Sequence, residues 1–299
     1  MNKLLNRGSV PLHLMLIPAV ALVFIFNYIP LFGIVIAFEK YIPARGVFHS
    51  KWVGFQNFTY LIHLPGTFQT LVNTLYISLM KIIAFIVVPV IFALLLNEVR
   101  NKLFKRSVQT IVYLPHFMSW IILSGILIDI LSPSDGIVNM LLKSFGLKPI
   151  FFLGDVHWFP YVIVSSDLWK EFGFNTILYL AALTAINPTL YEAAKMDGAG
   201  RWRQTFHVTL PGIVPVIVLL ATLSMGNVLN AGFDQVFNLY SPAVYQSGDI
   251  LDTFIYRLGM LDAQYGVATA VGLFKSVVSF IFIAGSYALA RKFADYRVF

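Results

Sequence analysis

The sequence predicts an all-α membrane protein with six transmembrane helices, and three observations carry that prediction. The 299 residues are 58% hydrophobic and only 12% charged, with a mean hydropathy of +0.78, far from the soluble average. Six apolar stretches, 12–38, 71–96, 108–131, 159–186, 212–230 and 267–290, reach the length of about 20 residues that a helix needs to cross a bilayer. Basic residues concentrate in alternate connections between these stretches, as they do when a chain crosses a membrane repeatedly.

In the first stretch only His13 and Asn27 are strongly polar. It is longer than the apolar core of a secretory signal and no small-x-small cleavage site follows it, so it is expected to stay in the mature protein. The connection from Glu39 to Leu71 is polar and aromatic, with Trp52, Gly54, Phe55, Asn57 and Phe58, and is expected to pack across the outer face. The second stretch carries Lys81; the third carries His116 and Asp129. His116, beside Pro115, reads as a kink or packing site rather than a metal ligand, because no second ligand sits at a suitable spacing. Beyond the fifth stretch, Ala231 to Gly266 is a mixed segment broken by Gly232, Pro242 and Gly248. Part of it is expected to dip toward the pathway, since non-helical backbone at membrane depth needs protein or a water-filled cavity around it.

Charge sets the orientation. Lys3, Arg7, Arg100, Lys102, Lys105, Arg106, Lys195, Arg201, Arg203, Arg291, Lys292 and Arg297 fall on one side of a six-span topology, against only Glu98, Glu192, Asp197 and Asp295. The other side is balanced between bases and acids. The positive-inside rule therefore puts both termini and the 187–211 connection in the cytoplasm. The net charge of +7 reflects this topology and contact with anionic lipid; no soluble basic region offers a nucleic-acid surface. With no cysteine, disulfides and thiolate-bound metals are excluded. Both sets of loops are short, so residues 1–299 read as a single transmembrane domain.

The most informative segment is NPTLYEAAKMDGAGRWRQTFHVTLPGIVP, from Asn187 to Pro215. Asn187 suits an N-cap, Pro188 the first helical turn and Gly198 a left-handed helix end, which predicts a short helix over 188–197. A second short helix over Arg201–Thr209 should stop at Leu210 and Pro211, because proline disfavours helical geometry in the residue before it. Ala193 and Ala194 keep this surface thin, and Glu192, Lys195, Arg201 and Arg203 surround it with charge.

The residues Glu192, Ala193, Ala194, then Asp197, Gly198, Ala199, then Val208, Leu210 and Pro211 resemble the signature loop of membrane subunits in binding-protein-dependent ATP-binding-cassette importers. The likeness extends over most of the chain. IPLFGIVIAFEKY and WVGFQNF near the start, YLPHFMSW at 113–120, and GFDQVFNLYSPAVYQSGDILDTFIYRLG with ATAVGLFKS near the end are similar to carbohydrate-importer permeases, in particular the LplB-type branch and those for alginate and pectic oligosaccharides. The resemblance implies a type I importer permease fold in the bacterial cytoplasmic (inner) membrane. It also implies that Glu192, Ala193, Ala194, Asp197, Gly198, Ala199, Leu210 and Pro211 dock on an ATPase. The implied partners are a second homologous permease, two ATP-binding-cassette subunits, an extracytoplasmic solute-binding protein, an oligosaccharide and membrane lipid. The chain has no G-x-x-x-x-G-K-[ST] phosphate loop, so no cofactor is expected on it, and ATP with Mg belongs on the partner ATPases. The large outer insertion and eight spans of the maltose-type permease are missing, which argues against maltose-like contacts.

Ionisable groups at membrane depth face protein or water. Lys81, Asp167, Trp169, Lys170, Glu171, Asn175 and Lys275 are the candidates for a substrate pathway, where sugar hydroxyls or uronate carboxylates find partners and Trp169 offers a stacking face. The competing reading is structural: Asp167 with Lys170, or Asp167 and Glu171 with Lys81 or Lys275, form ion pairs between helices. An acidic oligosaccharide is the expected substrate, with a neutral one as alternative. A secondary transporter explains the composition but not the Glu192–Pro211 pattern, and no G-x-S-x-G, metal cluster or catalytic carboxylate pair points to an enzyme.

Overall fold

The computed structural model describes residues 10–294. Lys3, Arg7, Asp295 and Arg297, which enter the charge asymmetry above, lie outside the described residues. The chain falls into two compact units, one formed by residues up to Pro65 with Ile255–Phe274, the other by Gly66–Phe254 with the residues from Lys275 onward.

In the first unit α1 (Val10–Val23) continues as a π turn over Phe24–Tyr28 and a 3-10 stretch over Ile29–Phe38. The Ile29 N–H reaches back to the Phe24 carbonyl immediately before Pro30, a wide turn that accommodates a residue lacking its own N–H. β1 (Glu39–Lys40) pairs antiparallel with β2 (Lys51–Trp52), Glu39 facing Trp52. Phe38 stacks on Trp52 at 5.6 Å and meets Phe55 and Phe58 at 5.5 and 5.4 Å. From α2 (Gln56–His63), the Asn57 amide donates to the Ala37 and Glu39 carbonyls at 2.9 and 3.0 Å. The aromatic loop residues thus close over the end of the first span.

The second unit is organised by α3 (Thr67–Glu98), which starts after Gly66 at φ +89°. α4 (Lys102–Tyr113) is capped by Asn101 Oδ1, which accepts the Leu103 and Phe104 N–H groups at 3.0 and 3.2 Å. α5 (Trp120–Leu131), α6 (Ile137–Ser144) and α7 (Phe159–Thr184) follow. Next come α8 (Pro188–Met196), α9 (Arg201–Gln204), α10 (Leu210–Met225), α11 (Phe233–Leu239), α12 (Tyr245–Gly248), α13 (Leu251–Tyr256) and α14 (Tyr265–Ala294). α3 and α7 form the largest helix pair. At Gly173 of α7 an added Cβ would lie 2.2 Å from the Val112 carbonyl oxygen of α4, so only glycine permits this approach. One apolar core joins Ile77, Phe159, Ile163, Val236, Leu239 and Ile250; another joins Val90, Ala93, Tyr179, Leu183 and Ile213.

All six expected spans fall on helical segments, with three corrections. The third, expected as one span over 108–131 with a kink or packing site at Pro115–His116, is broken outright: Lys102–Phe117 and Trp120–Leu131 meet at 105°. Leu114–Phe117 tightens to 3-10 geometry around Pro115, Met118 is extended, and Ser119 Oγ accepts the Ile122 N–H at 3.4 Å to start α5. The fifth, expected over 212–230, ends at Met225, and a helical run already begins at Arg201. The short helix expected to stop at Leu210 and Pro211 instead passes through a π turn at Thr205–Thr209, where the Leu210 N–H bonds the Thr205 carbonyl. As at Pro30, the wide turn absorbs the proline and leaves Leu210 helical, against the local rule. By length and composition His13–Phe38, Thr67–Glu98, Arg201–Met225 and Tyr265–Ala288 can cross a membrane, and the bent pair makes a fifth candidate. α7, with Asp167, Lys170 and Glu171, is not among them on composition.

Candidate coupling loop and intramembrane polar sites

The 187–211 loop is built from short-range contacts. Asn187 Oδ1 accepts the Thr189 N–H at 3.0 Å and Pro188 opens α8. At its end Gly198 lies at φ +75°, the Ala199 N–H bonds the Ala194 carbonyl at 2.8 Å, and the Gly198 N–H bonds the Lys195 carbonyl at 3.0 Å. This pair of bonds is the Schellman arrangement that ends a helix through a left-handed residue. Gln204 folds back to the Ala199 carbonyl at 2.7 Å, and the Tyr191 hydroxyl donates to Thr209 Oγ1 at 3.1 Å, tying α8 to the start of the next span. Glu192, Ala193, Asp197, Gly198 and Pro211 are exposed; Ala194, Ala199, Val208 and Leu210 are half-buried.

Sequence reasoning missed the apolar part of this surface. Met196 and Trp202 are 89% and 75% exposed, and Trp202 stacks on the exposed Phe206 at 6.3 Å. Large apolar groups exposed beside Glu192 and Arg203 make a surface suited to burial against another protein. The available cue was three bulky apolar residues in a polar connector. Arg201 also lies 3.6 Å from Glu98, an exposed contact worth little by itself.

The lysines of the spans, Lys81, Lys170 and Lys275, are paired with carboxylates. Lys81 Nζ, buried in α3, donates to Asp167 Oδ2 at 2.7 Å, Gln235 Oε1 at 2.6 Å and the Ala231 carbonyl at 2.7 Å, which uses all three of its protons. Lys170 donates to Glu171 Oε1 at 2.7 Å and to the His116 carbonyl at 2.9 Å, and lies 5.8 Å from the centre of the Trp120 ring. Glu171 Oε2 meets His116 Nδ1 at 2.6 Å, and the imidazole stacks on Phe174 at 3.9 Å. Lys170 and Glu171 therefore hold the His116 end of the broken span, a carboxylate partner that chain spacing did not reveal. Lys275 meets Asp252 at 2.5 Å. Of the pairs in the structural reading, Lys81 with Asp167 forms; Lys170 meets its neighbour Glu171 instead of Asp167, Lys275 meets Asp252, and Gln235 and His116 join as further contacts.

The second unit also contains two concavities. Trp169, 42% exposed, lines a hollow of about 360 Å³ with Leu127, Trp158, Tyr161 and Ser165. A more polar hollow of about 460 Å³ is walled by Gln69, Asn73, Tyr76, His157, Tyr161 and Gln246. Asn175 is half-buried on α7. Among the described residues no group of three or more His, Asp or Glu side chains is placed to hold a metal.

The chain is similar to known proteins. Residues 85–295 match the family described as the binding-protein-dependent transport system inner membrane component. The chain is 43% identical to the polygalacturonan/rhamnogalacturonan transport system permease protein YteP of Bacillus subtilis (strain 168), over 96% of this chain and 90% of that protein. It is equally 43% identical to protein LplB of the same organism, over 96% and 91%. Among solved structures, a bacterial ABC transporter involved in import of the acidic polysaccharide alginate superposes with a TM-score of 0.89 at 39% identity, covering 96% of this chain and 97% of its own. A second crystal structure, of a bacterial alginate ABC transporter in complex with an alginate pentasaccharide-bound periplasmic protein, also gives 0.89 at 39%, covering 98% of both chains. With its type I importer fold and its exposed two-helix loop, the chain belongs to the family of binding-protein-dependent transport system inner membrane components and is a permease subunit, not an enzyme.

Proposed function

We propose that this chain forms half of the translocation pathway of an ATP-driven importer for an acidic oligosaccharide, derived from a uronate polymer such as pectin or alginate. The observation that carries the reading is the coincidence of the exposed Glu192–Pro211 loop with close relatives and structural neighbours that handle polygalacturonan and alginate. In this reading a second, homologous permease completes the pathway, and two ATPase subunits carry ATP and Mg. An extracytoplasmic binding protein delivers the sugar, and both termini face the cytoplasm. α8 and the turn at Gly198 seat in an ATPase groove, so that closure of the ATPase pair turns the spans from outward- to inward-facing. Glu192, Ala193, Ala194, Asp197, Gly198, Ala199, Leu210 and Pro211 form that seat. Asp167, Trp169 and Asn175, with the neighbouring hollows, are the groups we assign to the sugar path.

The acidic preference rests on the relatives, because Lys81, Lys170 and Lys275 each already contact a carboxylate. That pairing favours a second reading, a neutral oligosaccharide. Reconstitution of both permeases with their ATPases and binding protein decides between them. Uronate oligosaccharides should stimulate ATP hydrolysis and enter vesicles, whereas stimulation by neutral oligosaccharides alone overturns the acidic assignment. Uptake by this chain without a second permease contradicts the paired assembly.

A further inference from the structure

One face of α3 carries Thr70, Asn73, Thr74, Ile77, Ser78 and Lys81, all buried and spaced by three or four residues so that they form a single stripe. Against it lies the chain between Ala231 and Phe254. The Asn73 amide donates to the Gln246 and Asp249 carbonyls, both at 3.1 Å. Thr74 Oγ1 accepts the Leu251 N–H at 2.8 Å, and Thr70 Oγ1 reaches Asp249 Oδ2 at 3.4 Å. Farther along, Lys81 grips Ala231 and Gln235. Gln235 is spent on both sides: its oxygen accepts a hydrogen bond from Lys81 Nζ, and its nitrogen donates to the Ile163 carbonyl at 2.7 Å and Ser166 Oγ at 2.8 Å on α7. Gly248 lies against Phe159 so closely that an added Cβ would fall 2.3 Å from the ring.

The stripe runs deep. At 1.5 Å per residue, Lys81 lies about 21 Å along α3 from Thr67, well inside a span of about 30 Å. Backbone carrying polar groups to that depth must be satisfied by protein, and these bonds satisfy it. In this network Asn73, Thr74, Lys81 and Gln235 are all paired, while the buried Ser78 and Ser247 hydroxyls find no partner among the described residues; any shift of the paired groups strands a buried donor or charge, which fixes one arrangement.

We propose that residues 231–254 are a fixed wall of the transport unit, carried as one body with α3 and α7 through the cycle. They are not an outer loop that rearranges when the binding protein docks. Asn73, Lys81 and Gln235 are its positioning residues, acting through the backbone they hold. The part of this proposal that concerns transport rests on the importer reading.

The chain has no cysteine, which makes the test clean. Thr70→Cys with Asp249→Cys places two thiols where side chains now meet. In the assembled transporter, joining them should leave uptake within about twofold of the unjoined double variant, since groups moving as one body lose nothing when linked. Uptake abolished by the link and restored by reduction overturns the proposal; failure of the thiols to join at all contradicts the adjacency on which it stands. A second measurement needs neither variant nor substrate. Hydrogen exchange of the wild-type complex, resting and vanadate-trapped, should show amides 233–254 as protected as those of α3 in both states, and deprotection of 233–254 in either state overturns it. Because exchange is read without transport, a failure of the substrate assignment would leave this outcome intact.

Discussion

The 187–211 loop and the 231–254 segment are both polar interruptions between long apolar helices, yet they are held in opposite ways. In the loop the bonds that shape the backbone join residues two to five apart, Asn187 to Thr189, Gly198 to Lys195, Ala199 to Ala194 and Gln204 to Ala199, and the longer Tyr191–Thr209 bond stays within the loop. Its larger side chains, Met196 and Trp202 among them, are left outside. In the segment the bonds that seat it join residues far apart in the chain, Gln235 to Lys81 and Leu251 to Thr74, and Gln235, Val236, Asp249, Leu251 and Thr253 are sealed inside. Local closure frees a surface to meet a partner; remote closure gives that surface up and secures position.

The largest effect that can break this contrast is at Lys81. Lys81→Met strands the Asp167 carboxylate and should cost about 3–5 kcal/mol, with Lys81→Met/Asp167→Leu recovering the part due to the stranded charge but not the part due to the Gln235 and Ala231 acceptors that lose their donor. Thermal unfolding of the purified complex reads this directly, and a double variant no better than the single would show that Lys81 acts through something other than the pair. Next is Gly173→Ala, whose new Cβ meets the Val112 carbonyl: overpacking of about 1–3 kcal/mol is expected in the same assay.

Gly198→Val sharpens the other side of the comparison. No atom lies within 4 Å of the added Cβ, so the expected cost of about 1–2 kcal/mol is the left-handed backbone alone. Global unfolding should barely move while ATPase association falls. The smallest effect is at Asp155, just before α7, where the backbone N–H of His157, helped by that of Trp158, holds the carboxyl below its ordinary range. A lowered folded pKa means that its small stabilisation is present at neutral pH and disappears as pH falls through that lowered value. Asp155→Asn should remove this acid dependence, measured as unfolding temperature against pH.

The same contrast explains what could be read from residues alone. Asn187, Pro188 and Gly198 each specify a local geometry, and the helix expected over 188–197 appears over Pro188–Met196 with its cap and left-handed end in place. The bend at Pro115 was half legible, since proline and Ser119 mark a stop and a start, but no local rule turns them into a 105° angle. At Pro211 the local rule failed because a π turn absorbs the missing donor. Asp167 was among the partners the residues suggested for Lys81, but the choice of that pair, and Gln235, His116 and Asp252 as further partners, was beyond reach for a different reason. Lys81 pairs with Asp167 and Gln235 across much of the chain, and a buried charge announces only that it needs a partner, not which one.

The proposed transport function depends on the loop being the seat of an ATPase. The most direct measurement is co-purification of the ATPase subunits, with sugar-stimulated hydrolysis and uptake in vesicles, for the wild-type transporter, Gly198→Val and Glu192→Lys. The two variants should insert into the membrane at wild-type levels but lose ATPase association, or hydrolyse ATP without moving sugar. Wild-type association and uptake in both would contradict the coupling role and reduce the loop to a connector between two spans.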